Sequence, residues 1–167
     1  VLCAQKLSQR AGEITSVGAI HLVKSITINR SPEELYTFWR NFQNLPRFMK
    51  HLVSVQVTGD KRSRWVAKGP AGSTVEWDAE IFEDRPNELI AWRSLEGSDV
   101  DSAGTVRFER APGGRGTVVR VNLQYRPPAG LIGRRVSELF GEGPEWQIKD
   151  DLRRFKQVME AGEVITT

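Results

Sequence analysis

The sequence predicts an α+β domain: one antiparallel sheet of about seven strands, covered by helices. Three observations predict it. Seven short stretches between Ile20 and Leu123 alternate apolar and polar residues, which is the two-residue period of strands. Glycine- and proline-rich turns follow most of these stretches, so neighbours in sequence can pair as hairpins. A helical period appears in only two places, Ser31 to Met49 and the last quarter of the chain. A sheet with one apolar face needs such a cover.

In chain order, Val1 to Gly18 has only a weak helical pattern, and residues 1–19 are expected to be a flexible arm or linker remnant. Ile20, Leu22, Ile26 and Ile28 mark a first strand. Ser31 then suits an N-cap, Pro32 the first helical position, and Glu33 and Glu34 place negative charge at the positive end of the helix dipole. Leu35, Phe38, Trp39 and Phe42 share one face of that helix. Asn44 and Leu45-Pro46 are expected to interrupt it, because a residue before proline is pushed out of the helical region. A short second turn through Phe48 and Met49 follows. Val53, Val55 and Val57 alternate as the second strand, ended by Gly59-Asp60. Trp65 and Ala67 belong to the third, closed by Lys68-Gly69-Pro70-Ala71-Gly72. Val75, Trp77, Ala79 and Ile81 mark the fourth, and Asp84-Arg85-Pro86-Asn87 reads as its turn. Ile90, Trp92 and Ser94 lie on one side of the fifth. Val106 and Phe108 define the sixth, Pro112 to Gly116 a hairpin loop, and Val119, Val121 and Leu123 the seventh. Leu131, Ile132, Val136, Leu139 and Phe140 form a helical stripe, broken at Gly141 to Pro144. Ile148, Leu152, Phe155 and Met159 then recur at spacings of three and four, so they face the sheet, while Lys149, Arg153, Arg154 and Lys156 are expected in water.

Bulk properties narrow the function. At 167 residues the chain can bury the core of one domain. Its net charge of +3 comes from interleaved rather than clustered basic residues, so no nucleic-acid partner is expected. A single cysteine, Cys3, rules out an internal disulfide and a cysteine-based metal cluster. No apolar run is long enough to cross a bilayer as a helix. Glu76, Asp78 and Glu80 fall on the outer face of the fourth strand, with Lys68 and Arg93 on its neighbours. They read as an exposed cross-strand ladder rather than an acid–base site.

Taken together, SITINRSPEELYTFWRNFQNLPRFMKHLVSV, WVAKGPAGSTVEWDAEI, DRPNELIAWRSLEG, VRFERAPGGRGTVVRV and DDLRRFKQ resemble the START-like, or helix-grip (SRPBCC), superfamily. The resemblance is in particular to the bacterial polyketide cyclase/dehydrase group related to the coenzyme Q-binding START proteins. It runs from about Val23 to Gly162. It implies a helix-grip fold: a curved antiparallel sheet wrapped round a long C-terminal helix, an apolar cavity between them, and two short helices between the first and second strands. Residues 20–162 would form this ligand-binding domain and 163–167 a tail. In similar bacterial proteins such a domain sometimes follows a membrane-anchored segment. The resemblance therefore implies a cytoplasmic domain that can be membrane-associated as part of a longer protein.

Strand alternation places Trp65, Trp77, Trp92, Phe108 and Ser94 on the concave side, and helix spacing turns Phe155 toward them. With Phe38, Phe42 and Phe48 near the mouth, these nine residues are the candidate ligand-binding set. The competing reading is that the aromatics only fill the core. His21 and His51 read as surface or strand-end histidines, since no carboxylate stands at metal-ligand spacing from them. The inward positions are nearly all apolar, with Ser94, Tyr36, Tyr125 and Arg107 as the polar exceptions. No catalytic constellation, metal site or cofactor motif is expected. The leading reading is binding or carriage of a hydrophobic small molecule, such as a quinone, lipid or aromatic polyketide. The alternative is a polyketide aromatase/cyclase or dehydratase, which needs an acid or base in the pocket. A structural or interaction domain without ligand is third. Oligomeric state is not legible.

Overall fold

The computed structural model describes residues 20–98, 100–126 and 144–162. The expected arm, the stripe from Leu131 to Phe140 and the tail lie outside them. Seven strands form one antiparallel sheet: β1 (Ile20–Ile28), β2 (Leu52–Val57), β3 (Arg62–Lys68), β4 (Thr74–Arg85), β5 (Leu89–Ser94), β6 (Asp101–Arg110) and β7 (Thr117–Arg126). Their order is β1-β7-β6-β5-β4-β3-β2. From β2 to β7 every neighbour is also the next strand in sequence. The exception is β1, which pairs with β7 over its whole length, from Ile20↔Tyr125 to Ile28↔Thr117. The sheet curls into a half-barrel that grips the C-terminal helix. This is the helix-grip architecture the sequence implied.

Helix α1 (Pro32–Arg40) starts as its sequence requires. Ser31 is the N-cap, and its hydroxyl accepts from the Glu34 amide. The helix ends earlier than expected, at Arg40 rather than near Asn44. Asn41 leaves the helical region (φ −83°, ψ 95°), and its side chain accepts from the Gln43 amide to start a separate 3₁₀ segment, Phe42–Arg47. A side chain that hydrogen-bonds the local backbone competes with helix continuation. Phe42 therefore belongs to this segment and not to the face of α1.

Two strands also depart from simple alternation. A bulge between Leu52 and Ser54 shifts edge strand β2, so Leu52 and Val55 are buried while Val53 and Val57 are half exposed. Strand β4 continues through Asp84 and Arg85, and the turn falls at Pro86–Glu88, where Asn87 takes φ +68°. A second bulge between Ile81 and Glu83 lets Phe82 pack on Leu89 and Ala91, so β5 is apolar on both faces.

Helix α2 (Pro144–Ala161) buries Ile148, Leu152, Phe155 and Val158, with Met159 packed at the margin. It is pinned at both levels of the core. Near its end Arg30 donates to the Glu160 carbonyl (3.0 Å), and the Asn29 amide donates to the Glu160 carboxylate (3.2 Å). Six residues earlier, Arg154 Nε donates to the Phe48 carbonyl (2.9 Å). Arg154, expected in water, is largely buried and joins α2 to Phe48, the residue that caps the 3₁₀ segment. On the convex face Arg64 bridges Glu76 and Asp78, each at 3.1 Å, and Arg93 meets Glu80 at 2.9 Å. The ladder is solvent-facing as expected. Its partners on β3 are Arg62 and Arg64 and not Lys68, because register sets Asp78 opposite Arg64 and Glu80 opposite Arg62.

Candidate functional site

A cavity of about 100 Å³ lies between the sheet and α2. Trp65, Trp77 and Trp92 form one wall. Adjacent strands β3, β4 and β5 present them side by side, with ring centroids 5.7 Å apart for Trp65–Trp77 and 6.3 Å for Trp65–Trp92. The Trp65 indole donates to Ser63 Oγ at 2.8 Å, which removes the cost of burying that N–H. Trp92 can lie flat against β6 only because residue 104 is glycine. A Cβ there would stand 2.4 Å from the Trp92 ring. Leu22, Ala67, Leu123 and Ile148 add apolar surface.

The phenylalanines occupy other places. Phe42 stands edge-on to Trp65 and Trp92, at 5.6 and 5.5 Å, and supports them from outside the cavity. Phe48, Phe108 and Phe155 surround Trp39, which is wholly buried. Phe38 packs on Phe48 and Phe155, with the Arg47 guanidinium over its ring. These five rings make the continuous core beside the cavity and are not on its wall. Ser94 is also off the wall: its hydroxyl accepts from the Ser102 amide at 3.0 Å. Tyr36 hydrogen-bonds Asp84, which also pairs with Arg40 at 2.8 Å, tying α1 to β4. Of the other expected polar exceptions, Tyr125 lines the cavity and Arg107 does not.

The cavity has a polar end that the sequence reading missed. Asp151 of α2 lies on the wall with only 1% of its side chain exposed. Its Oδ1 accepts from Arg154 and, at 3.4 Å, from the Lys50 amide. Burial raises its carboxyl from the usual carboxylate range to about 6, against the opposing pull of Arg154. His51 stands just before β2 and turns its ring into the cavity, with Nδ1 3.8 Å from Asp151 Oδ2. It is not a surface histidine. Burial, reinforced by Arg154 and Lys68, lowers its pKa to about 4, so the ring is neutral at physiological pH. Gln124, Gln147, Tyr125 and Ser102 add further polar groups to the wall. Burial also pushes the Tyr125 phenol well above its usual value. One signal for Asp151 was present in the sequence. It stands three residues after Ile148 and four before Phe155, inside the apolar stripe of α2.

A curved antiparallel sheet that grips a C-terminal helix, with an apolar cavity between them, is a START-like helix-grip fold. The chain belongs to the polyketide cyclase/dehydrase and lipid transport family, whose sequence profile matches residues 28–153. It is 30% identical over 137 residues to an uncharacterised 17.2 kDa protein of Streptomyces lincolnensis, covering 82% of this chain and 87% of that one. A Deinococcus radiodurans protein of known structure is 44% identical, with a TM-score of 0.72 over 86% of this chain and 98% of that one. The fold alone is shared with a START superfamily protein of Mycobacterium smegmatis (14% identity, TM-score 0.64, 84% and 97% covered) and with the Zhui aromatase/cyclase of a Streptomyces species (17%, 0.64, 87% and 99%).

Proposed function

We propose that the protein binds or carries a hydrophobic small molecule in the cavity between the sheet and α2. The observation that carries this reading is the wall of three neighbouring tryptophans around open space. Three indoles packed for stability alone would close on one another and leave no void. A cavity of about 100 Å³ is small beside the roughly 300–1,000 Å³ of pockets for drug-sized ligands. It suits one ring or a short apolar segment, and a larger quinone, lipid or polyketide needs the walls to part. Titration with quinones, fatty acids and aromatic polyketides tests the proposal. Binding quenches tryptophan fluorescence and raises Tm by linkage. If no compound does either, the protein is not a carrier of these ligands.

A second reading, catalysis of polyketide cyclisation or dehydration, is favoured by one observation. Asp151 and His51 are a carboxyl and a neutral imidazole, both shifted toward neutral forms by burial, on the wall of a mostly apolar cavity. Such a pair can take a proton α to a carbonyl and return one to oxygen. Incubation with a poly-β-keto thioester separates the readings. A cyclised or dehydrated product that Asp151→Asn abolishes establishes the enzyme; unchanged substrate leaves the carrier.

A further inference from the structure

The polar end of the cavity selects for more than hydrophobicity, provided the cavity is a ligand site as proposed above. Asp151 Oδ1 is engaged by Arg154 and the Lys50 amide. Its Oδ2 has no hydrogen bond among the described residues, and His51 Nδ1 at 3.8 Å is too far to donate to it. Gln147 stands one helical turn before Asp151, and Gln124 reaches the same cavity from β7. The Oε1 atoms of both are buried without a partner among the described residues, and Gln124 as a whole is only 5% exposed. Buried polar atoms in folded proteins are normally satisfied, so two unpartnered glutamine oxygens and Asp151 Oδ2 around one void call for a donor beyond these side chains, a bound water or a ligand group that displaces it. A glutamine amide can turn to offer its NH₂ instead, but an ionised carboxylate only accepts.

Charge narrows the choice. Arg154 neutralises Asp151, and Lys68 stands on the same wall, so an ammonium ligand gains little. A ligand carboxylate would meet Asp151 Oδ2 in a region that excludes water. A quinone or ether oxygen gives Oδ2 nothing to accept. We infer that the site takes a neutral hydrogen-bond donor, a hydroxyl or phenol, carried on an apolar ring or short chain that lies against Trp65 and Trp77.

The test is calorimetric titration of three matched probes, 4-propylphenol, 4-propylanisole and 4-propylbenzoate, at pH 7.5. One satisfied buried hydrogen bond corresponds to about tenfold in Kd. The phenol is expected to bind about tenfold tighter than the ether and tighter still than the benzoate. Gln147→Leu should reduce the phenol-to-ether ratio, and Asp151→Asn should narrow the gap between phenol and benzoate. If Asp151→Asn does not fold, Gln124→Leu takes its place and should reduce the phenol-to-ether ratio. An ether that binds as tightly as the phenol, or a benzoate that binds tighter, overturns the inference while leaving the carrier reading intact. If none of the three binds, this inference falls, and the titration with quinones, fatty acids and aromatic polyketides decides the carrier reading separately.

Discussion

The Asp151–His51 pair gives the protein an unusual pH dependence, visible only when one partner is removed. Folding raises the Asp151 carboxyl from 3.8 to about 6 and lowers the His51 imidazole from 6.5 to about 4. A group whose pKa rises on folding stabilises the native state below its unfolded pKa and loses that contribution as pH rises. Asp151 therefore favours folding more at pH 4 than at pH 7. A depressed histidine acts in the opposite sense: the unfolded chain takes the proton first, so His51 weakens folding as pH falls from 6.5 to 4. At about 1.4 kcal/mol per pKa unit, each shift corresponds to about 3 kcal/mol, and the two nearly cancel over the same window. Urea unfolding of wild type, His51→Gln and Asp151→Asn between pH 7 and 4 separates them. Relative to wild type, His51→Gln should gain about 3 kcal/mol on acidification, because only Asp151 remains. Asp151→Asn should lose at least as much, since Arg154, deprived of its partner, further disfavours a charged His51. Taking differences removes the titration of the other carboxylates. Three parallel curves, within about 1 kcal/mol, would refute the buried titration of this pair.

Four further outcomes are expected. Leu152→Ala should cost roughly 2–5 kcal/mol in urea unfolding, because Leu152 is 2% exposed against the sheet; a cost under about 0.5 kcal/mol would mean that α2 is wrongly faced. Gly104→Ala should lower stability by roughly 1–3 kcal/mol and alter the near-ultraviolet dichroism of the indoles, because its Cβ would displace Trp92. Trp77→Ala should weaken binding of any ligand that quenches wild-type fluorescence and create no new activity; unchanged affinity would move the ligand off this wall. Glu76→Gln with Asp78→Asn should leave ligand affinity unchanged, since both face solvent on the convex side; a loss of binding would return the ladder to the list of functional groups.

The sequence by itself determined most of the fold, because strand and helix periods are local. Seven alternating stretches and two helical ones suffice to specify an antiparallel sheet with a helix across it, and the turn residues between β2 and β7 make sequential pairing the economical topology. The period of α2 likewise identified Ile148, Leu152 and Phe155 as its buried face. Tertiary structure decided what local periodicity cannot carry. Alternation separates the two faces of a sheet, but it does not say which inward side chains fill the core and which leave space. Trp65, Trp77 and Trp92 border a void while Phe48, Phe108 and Phe155 close round Trp39, although all face inward. Bulges in β2 and β4 changed which residues are buried, and Asn41 ended α1 before Phe42. Asp151 and His51 stand 100 residues apart in the chain and touch the same cavity only because α2 packs against the segment that leads into β2, where the Lys50 amide meets Asp151. In the sequence His51 reads as a surface or strand-end residue, and Asp151 is given no role. The fold reverses that reading by surrounding both with apolar surface and placing Arg154 where it offsets the charge of Asp151.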